Sequence, residues 1–84
     1  MTQKQKLLKK LHEAPREFTW DDFVSLMNLL GYRKAKSGKT GGSRRRYVHE
    51  TYAPISLHEP HPQKSLKQYQ IDVVIEALRK EGIL

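Results

Sequence analysis

Residues 31–58 read GYRKAKSGKTGGSRRRYVHETYAPISLH, and the rhythm of this stretch decides the fold. Before Gly31 the apolar residues recur at helical intervals. From Tyr32 onward they alternate, and turn residues cut the chain into short pieces. Residues 32–36 read as a short strand, 37–42 as a glycine-rich turn, and 44–51 as the partner strand of a hairpin. Pro54 then opens a third strand, Ile55 to His58, in which Ile55 and Leu57 share one face and Ser56 and His58 the other. Pro60 and Pro62 bracket His61 and stop regular pairing there.

Helical signals lie on both sides of these strands. Thr2 and Gln5 have the spacing of a capping box, and Leu7, Leu8 and Leu11 follow along one face, so a first helix is expected to end before Pro15. Thr19 is an N-cap with Asp21 and Asp22 in the first turn, and Phe18 and Phe23 fit a hydrophobic staple. Trp20, Phe23, Val24, Met27 and Leu30 form an apolar stripe, which Leu26 and Leu29 widen, and Gly31 is the expected left-handed stop. A last helix starts near residues 65–67, carries Tyr69, Ile71, Val74, Ile75 and Leu78 on one side, and ends at Gly82, with Ile83 closing a Schellman motif. The predicted class is α+β, order α-α-β-β-β-α, in a single domain spanning residues 1–84. A three-stranded antiparallel sheet buries one face under helices and leaves the other wet.

The net charge is +7, from sixteen Lys and Arg against nine Asp and Glu. Between Gly31 and Arg46 stand seven cations, Arg33, Lys34, Lys36, Lys39, Arg44, Arg45 and Arg46, with no acid among them. The rest of the chain is therefore balanced, nine against nine. A single-sign run of this kind makes a local field of several kT, and its natural counter-charge is a phosphate backbone. A solubilising surface mixes both signs. The expected partner is a polyanion with a phosphate backbone, with docking of an acidic protein as a weaker alternative for the same face.

Other classes are excluded or lack support. With no cysteine there is no disulfide, thiolate metal site or cysteine nucleophile. No apolar run approaches the ~20 residues of a membrane span, so no membrane role is expected and the default compartment is the cytoplasm. Gly38-Lys39-Thr40 matches the end of a P-loop, but the glycine needed five residues before Gly38 is Arg33, and the turn joins two strands. His58 and His61 lack a third ligand at a recognisable spacing, so no metal and no other cofactor is assigned. His12, among Lys9, Lys10 and Glu13, has no assigned role.

From Asp21 to Leu84 the chain resembles the HicA toxins, small ribonucleases of bacterial and archaeal toxin–antitoxin pairs. The residues that carry the resemblance are an amphipathic helix ending in Gly31-Tyr32, a basic strand, Gly42-Ser43 leading into a strand with an aromatic, a short strand, Pro60-His61, and a closing helix with Leu66 and Ile71. Residues 19–84 then form the HicA-like core, and residues 1–14 an additional N-terminal helix. The resemblance implies a fold like a double-stranded-RNA-binding domain. It also implies ribosome-independent endonuclease cleavage of messenger RNA and neutralisation by a HicB-like antitoxin, to whose binding surface the additional helix could contribute. The family usually carries Gly-Ser-His, with the histidine regarded as catalytic. Here Arg44 stands at that position, and Tyr69 replaces a helix-start glycine.

Arginine cannot be deprotonated in a protein, so Arg44 cannot be a general base; it can hold a phosphate and stabilise developing charge. Arg45 and Arg46 point to opposite sides of a strand, which puts Arg46 on Arg44's face. Cleavage of RNA without a metal then requires a histidine to move protons. The candidates are His58, opposite the core-facing Ile55 and Leu57, and His61, which matches a position recurrent in the family. His49 is ambiguous, because either Tyr47 or Val48 could point inward. The candidate catalytic set is Arg44, Arg46, His58 and His61; the candidate RNA-binding set is Arg33, Lys34, Lys36, Lys39, Gly42, Ser43 and Arg45. Tyr32, Tyr47 and Tyr52 could stack on bases, although Tyr47 reads better as core. The expected activity is metal-independent RNA cleavage, with a non-catalytic RNA-binding module on the same basic surface as the alternative.

Overall fold

The computed structural model describes residues 2–36 and 44–84. Three helices, α1 (Gln3–Glu13), α2 (Trp20–Leu30) and α3 (Gln68–Lys80), accompany three strands, β1 (Arg33–Lys34), β2 (Arg44–Val48) and β3 (Ile55–His58). The strands form one antiparallel sheet in the order β1-β2-β3. The α+β class and the element order are those expected. No helix among the described residues is long and apolar enough to cross a membrane.

Local chemistry sets the helix ends. Thr2 and Gln5 close a reciprocal capping box on α1, and Thr19 and Asp22 close another on α2. Each satisfies two backbone N–H groups that a helix start leaves unpaired. At the far end of α2, Gly31 takes φ +92°, and the Tyr32 N–H reaches back to the Met27 carbonyl at 2.8 Å. α3 ends alike, with Gly82 at φ +74° and the Ile83 N–H on the Leu78 carbonyl at 2.9 Å.

The core lies between the helices and one face of the sheet. Tyr47, Ile55 and Leu57 come from the sheet, Phe23, Leu26 and Met27 from α2, and Ile71, Val74 and Leu78 from α3, all buried. Phe23 meets Tyr47 edge to face with ring centroids 5.4 Å apart, which joins α2 to β2. α1 contributes Leu7 and Leu11, buried against α2 and α3. It is part of the core, although the resemblance treats it as additional.

Several expectations need correction. Leu29 is 46% exposed and Tyr69 58% exposed, so neither lies on the apolar side assigned to it. The stripe of α2 is narrower than its apolar content, and Tyr69 falls on the outer side of α3. β1 keeps only two residues, though the Ala35 N–H still bonds the Arg46 carbonyl at 2.8 Å. β2 stops at Val48 rather than Thr51, because His49 turns away to bond backbone elsewhere. α3 starts at Gln68, since residues 64–66 are extended and pair with the segment before α2: Trp20 N–H bonds the Lys64 carbonyl at 2.8 Å and Leu66 N–H the Phe18 carbonyl at 3.0 Å.

Candidate nucleic-acid interface

The register of the sheet assembles the site. Arg44 stands opposite His58, Arg46 opposite Ser56, and Arg33 opposite Val48. Directly opposed residues share a face, with Cβ atoms about 5 Å apart. Tyr47 and Leu57 define the covered face, so Arg33, Arg44, Arg46 and His58 occupy the other one, and all four are exposed. Among the described residues no carboxylate forms an ion pair with Arg33, Arg44 or Arg46. Arg44 with His58 opposite it, Arg46 two residues along β2 and Arg33 on the neighbouring strand line a face that the described helices leave exposed, and each guanidinium can hold a phosphate through a bidentate pair of hydrogen bonds.

The remaining basic residues divide. Arg45 lies on the covered side of β2, and its Nε is 3.5 Å from Oε1 of Glu59. It therefore belongs to an ion pair beside the core, outside the open-face cluster. Lys34 pairs with Tyr47 in register and is exposed at the edge of the covered side. Lys36 is exposed just beyond β1. Lys39, Gly42 and Ser43 lie outside the described residues.

The histidines separate clearly. His49 is held by backbone at both ring nitrogens: Nδ1 accepts from the Thr51 N–H at 2.9 Å and the Tyr52 N–H at 3.3 Å, while Nε2 lies 3.1 Å from the Leu30 carbonyl. Two donors at Nδ1 place the ring proton on Nε2, where it is donated to Leu30. With both nitrogens engaged, this imidazole positions the β2–β3 connection. His61 is exposed in the 59–64 segment and lines a hollow with Trp20 and Asp21 of α2. Since Trp20 belongs to the helical layer, His61 is not grouped with the open-face arginines. His58 is the histidine that the register brings beside Arg44.

Gln70, which residue type alone gave no reason to single out, fixes the end of β3. It is 2% exposed, its Nε2 donates to the His58 carbonyl at 2.7 Å, and its Oε1 accepts from the Lys67 N–H at 3.0 Å. One amide thus caps α3 and anchors the strand that presents His58. The only sequence signal for it was its helical spacing, four residues from Leu66 and four from Val74.

The tyrosines do not face the basic surface as a stacking platform. Tyr47 is core, and burial first, with the Glu59 carboxylate adding to it, pushes its phenol above the ordinary 10.0. The Tyr32 hydroxyl donates to the Ala53 carbonyl at 2.8 Å, and burial and then Glu81 raise it likewise. Tyr52 is half-buried, its ring 4.5 Å from His49 and 6.4 Å from Tyr32, so these three rings form one structural cluster.

Comparison of the chain with family models, with curated proteins and with solved structures gives no match.

Proposed function

We propose that this protein binds RNA on the open face of its sheet and cleaves it, in the manner that the resemblance to the HicA toxins implies. The observation that carries this reading is the cross-strand pair of Arg44 and His58, with Arg46 and Arg33 on the same exposed surface. Arg44 and Arg46 hold the phosphate and offset the charge that gathers on its oxygens as the reaction proceeds. His58 takes the proton of the 2′-hydroxyl. The 2′-oxygen then bonds to phosphorus, the bond from phosphorus to the 5′-oxygen breaks, and the leaving oxygen gains a proton from solvent. The products are a 2′,3′-cyclic phosphate and a 5′-hydroxyl. The sheet with its helices on one side serves as a double-stranded-RNA-binding-domain-like scaffold in this reading. The natural regulator is a HicB-like antitoxin that covers the basic face.

One observation favours a second reading. Arg44 replaces the family's histidine, so the open face carries a single imidazole among its described residues. A surface with one proton carrier and three arginines can hold RNA without cutting it.

Labelled single-stranded RNA incubated with folded protein in EDTA, between pH 5 and pH 8, distinguishes the two. Cleavage to cyclic-phosphate ends, lowered about 10²-fold or more by His58→Ala but not by His61→Ala, is the expected result. Binding without products over that whole range removes the nuclease and leaves the binding module.

A further inference from the structure

The hollow beside α2 lies one residue beyond His58 and has a different chemistry from the basic face. Trp20, Asp21, Glu59, His61, Pro62 and Lys64 line it. Its walls are fixed in advance: the Trp20 N–H bonds the Lys64 carbonyl at 2.8 Å, and Glu59 is braced by Arg45 at 3.5 Å. A preformed site spends little free energy on ordering when it is filled. Two carboxylates make it a poor place for a phosphate. A half-buried indole makes it a good place for a flat aromatic ring.

From this combination we infer that the hollow is a nucleobase subsite whose preferred occupant is guanine, stacked on Trp20 with its N1–H and N2–H₂ edge donating to the Asp21 carboxylate. The inference rests on the RNA-binding reading above and extends it to base preference. Guanine presents adjacent donors on one edge and the O6 and N7 acceptors on the next. Asp21 is exposed and forms no ion pair among the described residues, whereas Glu59 is engaged by Arg45, so Asp21 is the carboxylate that receives the donors. Lys64, which also lines the hollow, supplies the cation for O6 and N7. Uracil turns a single N–H flanked by two carbonyl oxygens toward the same carboxylate and is rejected. Glu59 follows His58 by one residue but turns to the covered side with Arg45, so the base that fills the hollow belongs to a nucleotide further along a strand that rounds the end of β3, not to the one whose phosphate lies at Arg44 and His58.

Trp20 is the only tryptophan, so its indole N–H gives one NMR signal that reports on this site. The test titrates the full chain with guanosine and, separately, with uridine; neither carries a phosphate, so the basic face is not engaged. A saturable shift of the indole signal with guanosine, absent with uridine and weakened about tenfold or more by Asp21→Asn, is expected. Equal responses to the two nucleosides, or none to either, overturn the subsite. A parallel arm measures affinity for hexauridine in wild type and in the Arg44→Ala, Arg46→Ala double variant. Loss of binding in that variant alone upholds the basic face whatever guanosine does, so the two readings fail separately.

Discussion

At Gly31 two constraints coincide: the backbone has φ +92°, and a Cβ there would sit 3.0 Å from His49 Nε2. Left-handed φ disfavours any L side chain, and the contact adds a second penalty because the ring is held by three hydrogen bonds. Gly31→Ala is expected to lower stability by about 1–3 kcal/mol in urea unfolding. In a His49→Ala background the same change should lose less, about 1 kcal/mol, since only the dihedral term remains. Equal losses in both backgrounds would mean that the imidazole does not constrain this position. Gly31 was readable in the sequence as a helix stop because the signal is local. The role of His49 was not, because its partner at Leu30 lies 19 residues away and depends on how the sheet meets α2.

The same division between local and distant signals holds for whole elements. The capping box of α1 and the Thr19 N-cap of α2 were legible because their partners sit three residues away. The link between the helices was not: Lys10 Nζ lies 2.7 Å from Asp22 Oδ2 and ties α1 to the start of α2. Partial burial pushes the Asp22 carboxyl up, but Lys10 and the Thr19 backbone and hydroxyl outweigh it, and the net direction is below the ordinary 3.8. A carboxyl lowered on folding stabilises the native state above its unfolded value. That contribution fades as pH falls below 3.8 through the folded value. Asp22→Asn should therefore lower stability by about 0.5–1 kcal/mol at neutral pH and make progressively less difference in acid, as read from paired urea titrations. A gap between the two proteins that stays constant into acid would contradict this. For α1 itself, Leu11 is 1% exposed, so Leu11→Ala should cost about 2–4 kcal/mol in the same assay. A loss below ~1 kcal/mol would show that the helix is an appendage to the core.

Across the molecule, the excess charge was legible as a number and as a segment, while its division between two faces emerged only from the register. Alternation along β2 already separated Arg45 from Arg44 and Arg46. It could not tell that His58 stands opposite Arg44, since pairing depends on the path of the chain between β2 and β3 and on the turn that His49 makes there. That arrangement has a measurable electrostatic consequence. Each phosphate neutralised on a single strand contributes about 0.7 to the slope of log affinity against log salt, because a condensed counterion is released. If Arg44 and Arg46 each engage one phosphate, the Arg44→Ala, Arg46→Ala double variant should lose about 1.4 from that slope in anisotropy titrations with a short RNA. The control is Lys4→Ala with Lys6→Ala on the exposed side of α1, which removes the same charge from another surface. Net charge alone would change both variants alike. A contact on the open sheet face changes only the first, and equal slopes for the two variants would mean that RNA responds to the overall charge and not to this surface.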